Sequence, residues 1–101
     1  MNKRTIVALA LTPLVALGCT KADTDAMLTG LGNAGLTPAE AECYSGVLAE
    51  HLKAKYYNEV AANLLEGEGL SQALNRGRRK YGEEFSEQHS NARNDLAACL
   101  R

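Results

Sequence analysis

The feature that most constrains the fold is a helical period in the last third of the chain. Between Leu70 and Cys99, nine positions recur at steps of three or four residues, and the mean step is about 3.6, the period of an α-helix. These positions are Leu70, Leu74, Gly77, Tyr81, Phe85, Gln88, Ala92, Leu96 and Cys99. Gly77 and Gly82 each weaken a helix by about 1 kcal/mol relative to alanine. We therefore expect one of them to mark a kink or a close helix contact.

An earlier helical segment is predicted to begin at residues 37–40. Thr37 can cap the helix, Pro38 suits its first position and Glu40 completes a capping box. The apolar residues that follow keep three- and four-residue steps on one face: Cys43, Tyr44, Val47, Leu48, Leu52, Tyr56, Val60, Ala61, Leu64 and Leu65. Two alternatives remain open, one unbroken helix or a second helix capped by Asn58.

A glycine-rich run at residues 66–69 separates these two helical segments. Gly67 can adopt the left-handed conformation that ends many helices. Ser71 is the expected N-cap of the segment that follows, with Leu70 before it as a hydrophobic staple. The run is acidic and would repel phosphate, so we do not interpret it as a phosphate-binding loop.

The first 18 residues have the three parts of a secretory signal peptide. Lys3 and Arg4 form a positive start, an apolar run follows, and small Gly18 ends it. The uncharged stretch of residues 5–18 is shorter than the ~20 residues that a membrane-spanning helix needs. We therefore expect a signal peptide over residues 1–18 and not a permanent membrane span.

The end of this segment, Leu14-Val15-Ala16-Leu17-Gly18-Cys19, resembles the lipobox of bacterial lipoproteins. The resemblance covers the first 19 residues. It implies cleavage before Cys19, with fatty-acyl groups such as palmitate on that cysteine, and two or three such chains hold a protein firmly at a membrane. In this family a residue other than Asp after the cysteine, here Thr20, implies the outer membrane. The alternative is an ordinary secretory signal that leaves Cys19 as a plain thiol.

Residues 19–36 are predicted to be a flexible tether between the lipid and the domain. Glycine, asparagine and aspartate are dense there and large apolar residues are few, a composition that favours turns and coil. One helical turn is allowed at residues 26–28. The expected partition is the signal peptide over 1–18, the tether over 19–36 and a small helical domain over 37–101.

With Cys19 acylated, Cys43 and Cys99 remain, and an oxidising compartment would join them in a disulfide; intermolecular bonding is the alternative. The closed loop has 57 residues, for which chain-entropy arithmetic gives about 4 kcal/mol of stability. The predicted fold is all-α, a disulfide-stapled helical hairpin or a small three- to four-helix bundle. We expect the turn near Glu68 and the disulfide at the open end, near the tether.

The charge balance argues against one class of partner. Lys3 and Arg4 leave with the signal peptide, so the mature chain has nine basic side chains and 12 acidic ones. A nucleic-acid-binding surface is usually strongly basic, and we predict no nucleic-acid partner. Acidic residues prevail in residues 21–70 and basic residues in 71–101, so the two halves should attract each other.

The candidate interaction site is the densest run of positive charge together with the aromatic residue beside it: Arg76, Arg78, Arg79, Lys80 and Tyr81. Arginine presents a planar fork of donors to phosphate, carboxylate or an anionic glycan, and the tyrosine can add stacking. The alternative is a solvated helix face, on which Arg79 and Lys80 pair with the glutamates four residues later.

Neither a catalytic nor a metal-binding constellation is evident. His51 and His89 are the only histidines, and no pair of ligands has the spacing that zinc sites use, so we predict no metal. The serines have no nucleophile elbow around them, and Ser86 and His89, although on one helix face, have no evident oxyanion hole. We predict no catalytic residues, no cofactor and no enzyme activity.

These features predict a membrane-anchored lipoprotein that faces the periplasm and acts as a non-enzymatic interaction protein of the cell envelope. Besides the membrane that holds its lipid, its partner would be an envelope protein or an anionic envelope component. The alternative is a periplasmic immunity or exclusion factor that inhibits an incoming toxin, hydrolase or conjugative system. A small-ligand carrier would need an apolar cavity that so short a chain can hardly spare.

Overall fold

A computed structural model describes residues 21–101, which contain five α-helices and no strand. The helices are α1 (Thr24–Asn33), α2 (Pro38–His51), α3 (Ala54–Leu65), α4 (Leu70–Tyr81) and α5 (Glu83–Cys99). The predicted all-α class is confirmed, with one helix more than the largest bundle expected. The predicted signal peptide (1–18) and Cys19 lie outside the described residues.

Helix α1 overturns the predicted tether. The carboxylate of Asp23 caps this helix by accepting the Ala26 N–H at 3.1 Å. Met27 and Leu31 on the inner face of α1 are fully buried. Burying two such side chains contributes roughly 1.5–3 kcal/mol each, which offsets the ~1 kcal/mol that each glycine in the helix costs. The prediction of flexible coil is therefore wrong for residues 24–33.

Gly30 allows α1 to lie directly against α3. A Cβ atom at position 30 would stand 2.7 Å from the Cβ of Leu64 and 3.4 Å from the carbonyl oxygen of Ala61. The two helices run parallel, because Asp23 bonds Asn58 near their starts while Gly30 meets Leu64 near their ends. Gly30, which lowers the helix propensity of this segment, is therefore the residue that permits close contact between α1 and α3.

Two predicted helix ends are confirmed in detail. The Thr37 N–H donates to Glu40 Oε1 at 2.9 Å, and the Glu40 N–H donates to Thr37 Oγ1 at 3.2 Å, which completes the capping box of α2. Gly67, at φ +106°, follows the end of α3, and its N–H donates to the Leu64 carbonyl at 3.0 Å. This left-handed residue closes the helix as expected.

The segment from residue 38 to residue 65 forms two helices, and the break differs from both alternatives. It falls at Leu52 and Lys53, which have extended backbone conformations, and α3 begins at Ala54. Leu52 stays buried, so the chain changes direction while the apolar stripe remains in the core. Asn58 lies inside α3, where its side chain bonds the chain before α1.

The C-terminal series also divides into two helices, and each glycine has one of the two expected roles. Gly82, at φ +75°, breaks the chain between α4 and α5. Gly77 provides the close contact, since a Cβ there would lie 2.6 Å from the ring of Phe85. The predicted cap at Ser71 is wrong by two residues, because Gly69 occupies the N-cap position of α4.

The core draws side chains from all five helices. The largest fully buried side chains are Tyr57, Phe85, Met27, Leu31, Leu48, Leu64 and Val60. Within it the hydroxyls of Ser45 and Tyr57 are 2.6 Å apart, so each buried polar group satisfies the other. The predicted disulfide is present: Cys43 and Cys99, with Cα atoms 5.6 Å apart, join α2 to the last residue of α5.

Candidate interaction site

The bundle has two ends, and the chain enters at one of them. The Asp23 N–H donates to Asn58 Oδ1 at 2.8 Å, and Asn58 Nδ2 donates to the Lys21 carbonyl at 2.9 Å. These bonds fix the chain before α1 beside the first turns of α3. The start of α5 lies at the same end, where Lys53 Nζ donates to Glu84 Oε1 at 3.1 Å. We call this the entry end.

The opposite end, which we call the far end, carries the turns at Gly35 and Gly67. Helices α1 and α3 run from the entry end to the far end, and α2 and α4 return. Cys43 lies in the second turn of α2 and Cys99 is the last residue of α5, so the disulfide lies nearer to the far end. The sequence placed it near the tether, and that is wrong because α1 crosses the bundle before α2 begins.

The predicted basic site does not act as one surface, because two of its residues turn toward acidic partners. Arg76 pairs with Glu68 in the loop before α4. Lys80 Nζ lies 3.2 Å from Glu59 Oε1 on α3, and this hydrogen bond raises the pKa of Lys80. About half of each basic side chain is exposed, so such pairs add little stability. Their positive charge is nevertheless partly neutralised within the domain.

On a solvated helix face, Arg79 and Lys80 were expected to pair with the glutamates four residues later. The structure shows other ion pairs. Lys80 pairs with Glu59, and Glu84 pairs with Lys53, whose Nζ lies 2.9 Å from Glu84 Oε2. The cause is the break at Gly82, which turns the first residues of α5 away from the last residues of α4. Two pairs between the halves of the chain have the expected polarity, Lys80 with Glu59 and Arg76 with Glu68, whereas Lys53 with Glu84 has the reverse polarity.

Tyr81 belongs to an aromatic cluster and is only half-exposed. Its ring centroid is 4.5 Å from that of Tyr56 and 6.4 Å from that of Phe85. The Tyr56 hydroxyl donates to Glu84 Oε1 at 2.5 Å, and this bond raises the pKa of Tyr56 and lowers the pKa of Glu84. The ring of Tyr81 therefore packs between helices, and its hydroxyl donates to Glu59 Oε1 at 3.4 Å.

Of the two remaining arginines of the predicted site, Arg79 is exposed and Arg78 is half-buried. Arg78 bonds Asn75 on its own helix and lies near His89 of α5. Burial lowers the pKa of His89, and the charges of Arg78 and Arg93 lower it further. Arg78 and Arg93 thus create a local positive potential around His89, on one side of α4 and α5.

This positive region borders an apolar groove of about 300 Å³ between α2, α4 and α5. The groove is lined by Tyr44, Leu70, Ser71, Leu74, His89, Arg93, Leu96, Ala97 and Leu100. Leu74 and Leu96 are buried in its floor, whereas Leu100 is 45% exposed at its edge. It extends from the middle of the bundle to the far end. A smaller hollow of about 220 Å³ lies between α1 and α2, beside Leu28 and Pro38.

The groove was not predicted from the sequence, although part of its lining was visible there. Leu70, Leu74 and Leu96 belong to the helical series that predicted the core face. The series does not indicate that α2 covers this face only in part. That partial cover depends on how the three helices cross. Arg93 and Leu100 carried no signal of their own.

The two histidines, His51 and His89, make separate contacts in the described residues. His51 Nε2 lies 3.8 Å from Asp95 Oδ2, whereas His89 stacks on Phe85 with ring centroids 6.3 Å apart. In the described part of the chain, no three potential metal ligands converge. Nor is any described helix long and apolar enough to cross a membrane.

The chain matches no protein-family model, no curated protein and no solved structure. The groove and its neighbouring arginines are therefore interpreted from their own geometry and charge.

Proposed function

We propose that this protein is a bacterial lipoprotein, held by acyl groups on Cys19 at a membrane, the outer membrane in preference to the inner, and facing the periplasm. It acts without enzyme chemistry, by binding a protein or an anionic component of the envelope. The support for the anchor is the lipobox-like sequence before Cys19. The support for binding is the open groove with its positive border.

One observation supports this proposal most: the described chain begins at the entry end of the bundle, and the groove extends to the far end. Cys19 is two residues before Lys21, and Lys21 is bonded to Asn58 at the entry end. Two extended residues span about 7 Å, so an anchor at Cys19 would hold the entry end close to the lipid surface. The groove would then open toward the periplasm, where a partner can reach it.

The interaction residues differ from those of the original prediction. Arg76 and Lys80 are engaged with Glu68 and Glu59, and Tyr81 packs in the aromatic cluster. Arg79 is exposed and Arg78 is half-buried, so both stay candidates for contact with a partner, and the groove adds Arg93. Arginine at such positions can form paired hydrogen bonds with a carboxylate or a phosphate.

Co-purification from solubilised envelopes tests this function. We expect one stoichiometric partner that is retained by Arg76→Ala, a matched control outside the groove, and lost or weakened in Arg78→Ala/Arg93→Ala. A Cys19→Ser form should lose the membrane fraction and, with it, the partner. Envelopes that yield no partner would contradict this function and favour the inhibitor, whose target arrives only with an attacker.

A further inference from the structure

We infer that the groove between α2, α4 and α5 binds the apolar face of an amphipathic helix that carries acidic side chains, supplied by a protein partner. This inference names the class of partner for the proposed function. It rests on the proposed function only for where that partner is located. It depends on three features of the groove, namely its shape, its charge and its place in the bundle.

The shape suits the side chains of a helix better than a small molecule. Sites for small ligands enclose most of the ligand surface, whereas this groove of about 300 Å³ is open along its length. Leu74 and Leu96 form an apolar floor, and Leu70 and Leu100 stand at its edges. An amphipathic helix places two or three apolar side chains in such a groove, one or two turns apart.

The charge selects an acidic partner. Among the described residues that line the groove, Arg93 is the only one with a permanent charge, and half-buried His89 lies beside it. Arg78 lies near the same histidine from α4. A carboxylate on the flank of a bound helix would meet these groups and relieve their mutual repulsion. A basic helix would add to that repulsion.

The location argues against a lipid surface as the occupant. The chain enters beside Asn58, at the entry end, and an anchor two residues earlier keeps the lipid there. The groove extends to the far end, next to Leu100 and the turn that precedes Leu70. An acidic helix of a periplasmic protein reaches this end without competing with the membrane.

A designed peptide tests the inference directly. The probe is an 18-residue helix with leucines at one face and glutamates on both flanks, and its control has lysines in place of the glutamates. The target is residues 20–101 released into the periplasm behind a cleavable signal without a lipobox, so that the described domain is whole and its disulfide can form. We expect the acidic peptide to bind about tenfold more tightly than the basic one, with chemical-shift changes confined to the groove.

Two neighbouring alanines provide matched variants for this test. Ala97 and Ala98 are both exposed on α5, but Ala97 lines the groove and Ala98 does not. Ala97→Trp should fill the groove and reduce peptide affinity at least about tenfold, while Ala98→Trp should change it less than about twofold. Arg93→Glu should reverse the preference between the two peptides.

Three results would overturn the inference: equal affinity for both peptides, an unchanged affinity in Ala97→Trp, or groove shifts caused by phosphatidylglycerol vesicles but not by the acidic peptide. These outcomes are independent of the co-purification result. A partner could be captured through Arg79 while the groove stays empty, and the peptide could bind even if no resident partner were recovered.

Discussion

Asn58 and Lys21 are joined by a hydrogen bond of 2.9 Å from the side-chain amide of α3 to the carbonyl oxygen of the chain before α1. The same amide accepts the Asp23 N–H at 2.8 Å. Both bonds lie near the surface, and together they tie residues 21–23 to the bundle. They determine where Lys21, the first described residue, lies on the bundle.

Replacing this amide should loosen the chain entry without unfolding the core. In Asn58→Ala we expect the Asp23 amide to exchange its hydrogen faster, while amides at the middle of α5 keep their protection. The expected loss in the free energy of unfolding is about 1–2 kcal/mol, because two hydrogen bonds are lost near the surface. Hydrogen exchange measured residue by residue checks this, and unchanged exchange at Asp23 would contradict it.

Two glycines in helices should respond to alanine with opposite signs. Gly30→Ala should lower the free energy of unfolding by about 1–3 kcal/mol, since its Cβ would stand 2.7 Å from the Cβ of Leu64. At Gly46, inside α2, an added Cβ atom would have no side chain or neighbouring helix within 4 Å, so Gly46→Ala should raise stability by up to ~1 kcal/mol. Urea titrations of both variants test the contact, and a neutral or stabilising Gly30→Ala would show that α1 and α3 are farther apart.

Some features of the fold could be predicted from the sequence and others could not. Local signals were sufficient where the cause is local, as in the capping box at Thr37 and the left-handed turn at Gly67. The period from Leu70 to Cys99 correctly identified a core face, including Leu74 and Phe85. These patterns depend on residues within one or two turns of each other, which a single sequence displays.

Helix α1 was missed because its stability comes from a distant partner. Gly30 and Gly32 lower its intrinsic helix propensity, and this is what favoured coil in the sequence. The structure uses Gly30 for contact with Leu64, 34 positions later, and buries Met27 and Leu31 in the core. The spacing of those two apolar residues and an Asp at the N-cap were the available signals. The groove was missed for a similar reason, since it arises from the crossing of three helices.

The disulfide should account for a large share of the stability. It closes a loop between residues 56 positions apart, and losing such a bond typically costs about 2–4 kcal/mol. Cys43→Ser/Cys99→Ser, compared with the oxidised parent in thermal and urea unfolding, should show this loss. The parent under reducing conditions serves as the control and should match the double variant. If reduction left the unfolding midpoint unchanged, the bond would have no stabilising role.

The stability of the domain should fall on mild acidification, partly through His89. Burial and the charges of Arg78 and Arg93 lower the pKa of this residue below its usual 6.5. Tyr44 of α2 lines the same groove. The unfolded chain therefore binds more protons below pH 6.5, and the free energy of unfolding decreases as the pH falls through that value.

A histidine-free control isolates this contribution. In His89→Gln the decrease in the free energy of unfolding between pH 7.5 and pH 5.5 should be smaller than in the parent, because one proton-linked group is gone. Urea titrations at the two pH values provide the comparison. The same decrease in both proteins would mean that His89 does not contribute to the pH dependence.

The anchor at Cys19 is central to the proposed function, and the intact mass of the protein purified from membranes tests this anchor directly. We predict that Met1–Gly18 is absent and that Cys19 carries the added mass of two or three acyl chains, while Cys43 and Cys99 stay joined. A mature chain with an unmodified Cys19 thiol, recovered from the soluble periplasm, would contradict the proposed lipid anchor.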